Sequence, residues 1–330
     1  MRSPDGPTVA PASTCPLAQR PAPDGSARSR PGVAPDLHPD FHSTHAAFEI
    51  AHRFGIPAIG VQHHHAHLAA VLAEHGHLEP ALGVAMDGVG LGSDGGIWGG
   101  ELMLLEGAGF ERLGHLSRLA MPGGERAATE PWRMAAAVLH RLGRADEIAE
   151  RFAGFSGAER LATLIDRPLL SPPCTSLGRW FDAAAGLLGI CGTMAFEAEA
   201  PMRLEAAARA YGPAMPAVGQ WRIVDGELDL SPLLGQLADE RDPARGAAVF
   251  HASLVAALDQ WVAAAARDRG VRTVALAGGC MLNRLLAEEL PRRLGARGFK
   301  VLLARQAPPN DGGIALGQAW IAIRRIAEGL

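Results

Sequence analysis

The stretch "RTVALAGGCMLNRLLAEEL", Arg272–Leu290, decides the fold class. It opens as a short apolar strand that closes on two glycines, and a helical pattern follows over Cys280–Leu294. Beyond it come "KVLLA" (300–304), a second apolar strand, and Gly312–Ala327, a long apolar helix. Strand, helix, strand and helix joined by short links imply parallel pairing and therefore an α/β protein. Paired glycines at the start of a helix also let a nucleotide approach the backbone closely. On that reading Gly278 and Gly279 form the approach, and Asn283 hydrogen-bonds a sugar or base. The motif has neither the Gly-x-Gly-x-x-Gly spacing nor the Walker Gly-Lys-Ser/Thr, and close helix–sheet packing explains the same glycines equally well.

Working outward, helices are expected over Ser43–Arg53, Gln62–Glu74, Glu130–Leu142, Ser176–Leu188, Glu197–Ala210 and Gly246–Arg267. "ALGVAM" (81–86) and "GIWGGELMLLEG" (96–107) read as strands joined by a glycine-rich turn, and "IPAIGV" (56–61) as a shorter strand. Residues 1–32 are rich in Pro, Ser, Gly and Ala and hold almost no large apolar side chains, so disorder is expected there. Over all 330 residues, 48% are hydrophobic and 20% charged, the balance of a well-buried globular chain. A net charge of -4 argues against nucleic acid as a partner. No apolar run approaches the roughly 20 residues that cross a bilayer, and no signal-type apolar core opens the chain, so no membrane is expected. Cys15, Cys174, Cys191 and Cys280 form no Cys-x-x-Cys pair, which reads as reduced thiols in a cytoplasmic protein.

Two segments carry ligand chemistry. "VQHHHAHLAAVLAEHGH" (61–77) holds six of the chain's 13 histidines. On a helix, His63 and His67 share a face and can take adjacent positions on one metal ion, whereas His64 and His65 point about 100° and 200° away. The alternative is a solvated or hydrogen-bonded polar turn. "MDGVGLGSDGGIWGGE" (86–101) runs a strand into Asp87 and then into glycines at 88, 90, 92, 95 and 96. An aspartate at that place can hold a cation, and the exposed N–H groups after it can cradle phosphate; a plain hairpin with Asp87 as a turn former is the alternative. Near the C-terminus, Asn310 or Asp311 caps the last helix, or Asp311 serves as a further metal ligand.

Taken in order, "DLHPDFHST", "VQHHHAH", "DGVGLGSDGGIWGGE", "MPGGERAATEPWRMA", "TSLGRWFDAAAGLLGIC", "LAGGCMLNRLL" and "PPNDGGIALGQA" resemble the C-terminal part of the HypF carbamoyltransferases of nickel–iron hydrogenase maturation. That part belongs to the TsaD/Kae group, with TobZ as a more distant O-carbamoyltransferase. The resemblance implies a two-lobed actin/hexokinase/Hsp70-type (ASKHA) fold over residues 33–330. A partial lobe I is expected over about 33–120, and a helical insert with lobe II over about 121–330. It implies His63, His67, Asp87 and Asp311 as ligands of one iron or zinc ion. Gly88, Gly90 and Gly92 become a phosphate loop, with Gly278, Gly279, Asn283 and Glu197 on the nucleotide side. The implied reaction moves a carbamoyl group from carbamoyl-adenylate to the C-terminal cysteine of HypE, for cyanide ligand synthesis.

Three departures from the family pattern shape the expectations. The acylphosphatase, zinc and YrdC-like regions do not figure in this chain, so carbamoyl-adenylate is expected from a separate source. The first strands of lobe I are not found ahead of "DLHP", which leaves an edge for a partner or for self-association. The family's "EGQAA"-like stretch reads "FEAEAPMRLE", with Glu199 either facing the cleft and repelling phosphate or turned outward. The alternative functions are a degenerate, non-catalytic HypF paralogue that binds nucleotide, metal or a partner, and a TobZ-like O-carbamoyltransferase.

Overall fold

The computed structural model describes residues 31–329. Cys15 and nearly all of the expected disordered leader therefore lie outside the described residues. Helices α1 (His42–Phe54) and α2 (His63–Glu74) come first. Strands β1 (Ala81–Leu91), β2 (Ile97–Glu106) and β3 (Gly109–Leu116) form an antiparallel meander, with the short β4 (Leu119–Ala120) after it. Helices α3 (Pro131–Arg141), α4 (Ile148–Arg151) and α5 (Ala158–Ile165) lead to β5 (Pro173–Cys174), α6 (Leu177–Leu187) and α7 (Glu199–Tyr211). The hairpin β6 (Arg222–Val224) and β7 (Glu227–Asp229) precedes α8 (Ser231–Ala238) and α9 (Pro243–Arg269). The chain closes with β8 (Thr273–Ala277), α10 (Arg284–Ala296), β9 (Lys300–Leu302) and α11 (Ile314–Ala327).

All the strands join one mixed sheet, in the order β6-β7-β3-β2-β1-β8-β9 with β4 and β5 beside β2. The β8–α10–β9 unit is parallel, as read from the opening stretch, and β8 also runs parallel to β1. The fold class is the expected mixed α/β one. "IPAIGV" falls short of a strand: only Ala58 and Val61 form isolated parallel bridges, to Val33 and Asp36. Proline at 57 has no N–H to give a ladder.

The sheet explains why β1 reads as a continuous apolar run. Leu82, Val84 and Met86 face one core with Trp132, Trp180, Phe181, Phe250 and Trp261, while Ala81 and Ala85 face the other with Leu68, Val71 and Leu72 of α2. A strand covered on both faces has no solvated face to carry polar residues. Helix α2 is itself enclosed, because Ala66 and Ala69 pack on Ile321 of α11. A Cβ added to Gly317 would stand 1.8 Å from the Ala66 carbonyl oxygen, so these two helices meet backbone to backbone. Helix α9 is long and apolar enough to cross a bilayer by length and composition, a point missed when the sequence is scanned for unbroken apolar runs; 72% of its apolar window is buried in the fold.

Candidate metal centre

Helix α2 is seated by its first residues. Gln62 Oε1 accepts from the His65 N–H at 2.8 Å, which caps the helix. Gln62 Nε2 donates to the Leu91 carbonyl at 3.0 Å, tying the cap to the end of β1. His63, His64, His65 and His67 are all buried, none more than 4% exposed, which removes the solvated-turn reading of the histidine run.

His63 and His67 share a face, their ring centroids 4.8 Å apart. His63 Nε2 lies 3.3 Å from Asp87 Oδ2 and 3.5 Å from Asp311 Oδ1. His67 Nε2 lies 3.4 Å and 3.2 Å from the same two oxygens. The four ligand atoms fall within 4.8 Å of one another. A tetrahedron with metal–ligand bonds of about 2.0–2.1 Å has edges of about 3.3–3.4 Å, so these N–O separations suit one ion. Both Nε2 atoms are enclosed and make no hydrogen bond. Two nitrogens and two carboxylate oxygens are a donor set for iron or zinc rather than for magnesium.

Two of the four candidate ligands, His63 and Asp87, are oriented from behind. His63 Nδ1 donates to Asp36 Oδ2 at 2.9 Å, which leaves the Nε2 lone pair facing the cluster. Asp36 is held in turn by the His38 N–H at 2.8 Å and reaches this place through its bridge to Val61. The β1–β2 ladder shifts register between Met86 and Gly90, so Asp87 sits in a bulge, a common way of re-aiming a side chain beside a site. Asp87 Oδ1 accepts the Gly279 N–H at 3.0 Å while Oδ2 faces the histidines. Asn310 Oδ1 takes the Gly312 N–H at 3.2 Å, capping the short turn Asp311–Gly313 and not α11, whose N-cap is Gly313 with no side-chain cap; Asp311 is left to face the cluster.

The electrostatics follow. Burial disfavours a charged His63, but the carboxylates of Asp311, Asp36 and Asp87 outweigh it and raise its pKa to about 11. His67 is raised the same way by Asp311 and Asp87, against the opposing effect of burial. Burial pushes against charge on Asp87 too, yet His63 and His67 hold it well below the usual carboxylate range. Carboxylates that stabilise imidazolium in this way are equally placed to neutralise a divalent cation. His64 and His65 point elsewhere, and burial drives both down to about 3, which keeps them neutral.

Asp87 and Asp311 also line a cavity of about 780 Å³ that includes Gly88, Gly178, Gly279, Asn283 and Glu197. That volume is in the range of small-ligand sites. Ser176 caps α6 and donates to the carbonyls of Asp87 and Gly88, which pins the start of α6 to the β1 bulge.

Several sequence expectations change here. Of Gly88, Gly90 and Gly92, Gly88 lines the cavity and the other two do not. A Cβ on Gly90 would meet the His64 and His63 rings at 2.7 and 2.8 Å, and one on Gly92 would meet the Trp98 indole at 2.2 Å. These two glycines let β1 pass the histidines and Trp98, which accounts for them by packing. Gly278 lets the chain cross β1, since its Cβ would stand 2.3 Å from the Met86 carbonyl. Asn283 caps α10 through the Leu286 N–H at 3.1 Å, and its Nδ2 donates to His251 Nε2 at 3.0 Å. That leaves its amide mostly committed within the chain. Glu197 is exposed at the cavity, whereas Glu199 is buried, accepting the Ala195 N–H and pairing with Arg203. Glu199 therefore neither faces the cleft nor turns outward, and its charge gives no ground for a degenerate site. Asp36, Gln62 and Ser176 were missed as supporting residues; Asp36 stood in the quoted "DLHP" without a role.

The family model described as "HypF Kae1-like domain" matches residues 27–74, and that described as "Carbamoyltransferase, Kae1-like Domain, second subdomain" matches residues 83–318. The chain belongs to the HypF carbamoyltransferase family. It is 54% identical over 321 residues to carbamoyltransferase HypF2 of Cupriavidus necator, covering 89% of this chain and 40% of that protein. It is 49% identical over 306 residues to a carbamoyltransferase HypF homolog of the same organism, covering 89% of this chain and 78% of the other. Among solved structures, full-length HypF in its phosphate- and nucleotide-bound form is 32% identical with a TM-score of 0.78, covering 89% of this chain and 46% of its own. The HypF of T. kodakarensis is 28% identical with a TM-score of 0.80. The chain thus spans about two fifths of the length of HypF2.

The family models also divide the chain ahead of the sheet. A lobe division near residue 120 cuts through one sheet, since β1–β3 pair into the sheet that holds β8 and β9. The HypF-type second subdomain starts at residue 83, just inside β1. The "DGVGLGSDGG" hairpin belongs with it, and α1 and α2 stand before it.

Proposed function

We propose that this chain is a metal-dependent, HypF-type carbamoyltransferase of hydrogenase maturation. It accepts carbamoyl-adenylate from a separate source and passes the carbamoyl group to the C-terminal cysteine of HypE, in the cytoplasm. The observation that carries this reading is the four-residue cluster of His63, His67, Asp87 and Asp311, two of whose members also line a cavity of small-ligand size. Neither nucleic acid nor a membrane figures in the reaction.

In the proposed reaction the partner's thiolate attacks the carbamoyl carbon. A C–S bond forms, the C–O bond to phosphate breaks, and AMP departs with that electron pair. An iron or zinc ion, when bound, supplies Lewis-acid charge beside the leaving phosphate. Asp36 keeps His63 in the tautomer that presents Nε2, and Gly279 holds Asp87 in place. Gly88 leaves the cavity wall bare, because a Cβ built there meets nothing within 4 Å. The nucleophile belongs to the partner, so Cys280, which burial holds in its neutral thiol form, is not called on.

The test supplies carbamoyl-adenylate and HypE to the purified chain and follows HypE by intact mass. A gain of one carbamoyl group, lost when the HypE cysteine is changed to alanine, supports the reading. No gain with a metal-loaded, folded chain ends it.

A further inference from the structure

Asp87, Glu197, Glu205 and Asp311 line the cavity, and among the described residues Arg179 is the one basic side chain that joins them. An anionic ligand is repelled by such a wall unless cations offset it. Arg179 lies in the first turn of α6, beside Gly178, whose added Cβ would stand 3.0 Å from Gly88 Cα. Its guanidinium is engaged on one side: NH2 lies 3.0 Å from Oδ2 of Asp182, a carboxylate with 1% of its side chain exposed. Nε and NH1 are enclosed and have no hydrogen-bond partner among the described residues. A buried ion pair that serves stability alone gains little over apolar residues of the same size, and unpaired enclosed donors make it worse. The start of α6 adds its positive end to the same place.

We infer that Arg179 is the phosphate-side cation of this cavity, positioned by Asp182, and that it recognises the phosphoryl group of an adenylate. The inference rests on the adenylate reading above and adds the residue that selects the anionic part. Asp182 pairs with NH2 and holds the guanidinium in place, so that its charge lies in the cavity wall that the Arg179 side chain helps to form.

The probes are AMP, which carries the phosphate, and adenosine, which lacks it, each titrated calorimetrically into the full chain. The variants are Arg179→Gln/Asp182→Asn, which removes both charges and strands neither, and Arg179→Met; either one that folds decides. Wild type is expected to prefer AMP. The variants should lose about tenfold or more in AMP affinity, the scale of a charge-assisted hydrogen bond, with adenosine binding unchanged within about twofold. A folded variant that keeps the wild-type AMP-to-adenosine ratio overturns the assignment and makes the pair structural. Wild type that binds both ligands without preference overturns it as well. Wild type that binds neither ligand overturns the adenylate reading itself, and the role of Arg179 falls with it.

Discussion

Helix α1 leaves Phe48 and Phe54 more than half exposed, whereas α2, which follows it closely, buries four histidines almost completely. The run of histidines alone would mark α2 as the more exposed of the two. The difference lies in what each one faces. Helix α2 runs between the sheet and α11, and its buried histidines meet the polar groups of Asp36, Asp87, Asp311 and the Gln62 cap. Imidazoles are tolerated there because two meet carboxylates and the others stay neutral. Helix α1 buries Thr44 and Ala51 and presents the rest of its surface outward. Polar burial on α2 is thus tied to a site, and apolar exposure on α1 is not tied to the stability of this fold.

The largest expected effect breaks that contrast at its centre. Wild-type protein should carry about one transition metal per chain by elemental analysis, from the tetrahedral donor set. The His63→Ala/His67→Ala variant should carry none while keeping its circular dichroism. A folded wild type without metal removes the ligand assignment. The next effect is on stability against acid. The folded pKa of His64 and His65 is near 3, and that of His251 near 4, all below the 6.5 of an unfolded histidine. On acidification the unfolded chain binds these protons first. Their stabilisation is therefore full above pH 6.5 and falls away from there toward pH 3, by at most about 1.4 kcal/mol per pH unit for each histidine. Denaturant midpoints that stay flat from pH 7 to pH 5 would contradict neutral burial.

Smaller effects sharpen the contrast. Asp36→Asn should leave the fold intact and weaken metal binding by about 10–100-fold in a chelator competition, because the residue orients a ligand without being one. Gly317→Ala should destabilise by about 1–3 kcal/mol in chemical unfolding, since its Cβ meets the backbone of α2 and not a movable side chain. Phe48→Ser/Phe54→Ser should shift stability by less than about 0.5 kcal/mol, as substitutions of exposed side chains do. A large loss there would show that α1 is covered in solution.

Much of the candidate cluster was legible because residues able to bind a metal leave short-range marks. His63 and His67 stand one helical turn apart, Asp87 follows the apolar run 81–86, and Asp311 opens a short helical turn. Roles that depend on close approach were not legible. Gly90 and Gly92 look like phosphate-loop glycines and are packing glycines, because what they meet comes from α2 and β2. Asn283 looks like a base reader and is a cap tied to His251 on α9. That β1–β3 join the sheet of β8 and β9 was not legible either, because they carry no local sign of which sheet they join.

What the sequence determined by itself is the set of elements: the helix positions, the parallel β8–α10–β9 unit, the glycine hairpin, and which residue types can bind metal. These follow from periodicity and from backbone preferences that act within a few residues. What only the tertiary structure decided is which distant groups meet. It brings Asp36, Asp87 and Asp311 onto one pair of histidines, buries His64 and His65 as neutral rings, and turns Glu199 onto Arg203 and the backbone. The reason is that charge state and ligand geometry depend on distances and desolvation set by packing, and packing joins residues that the chain keeps far apart.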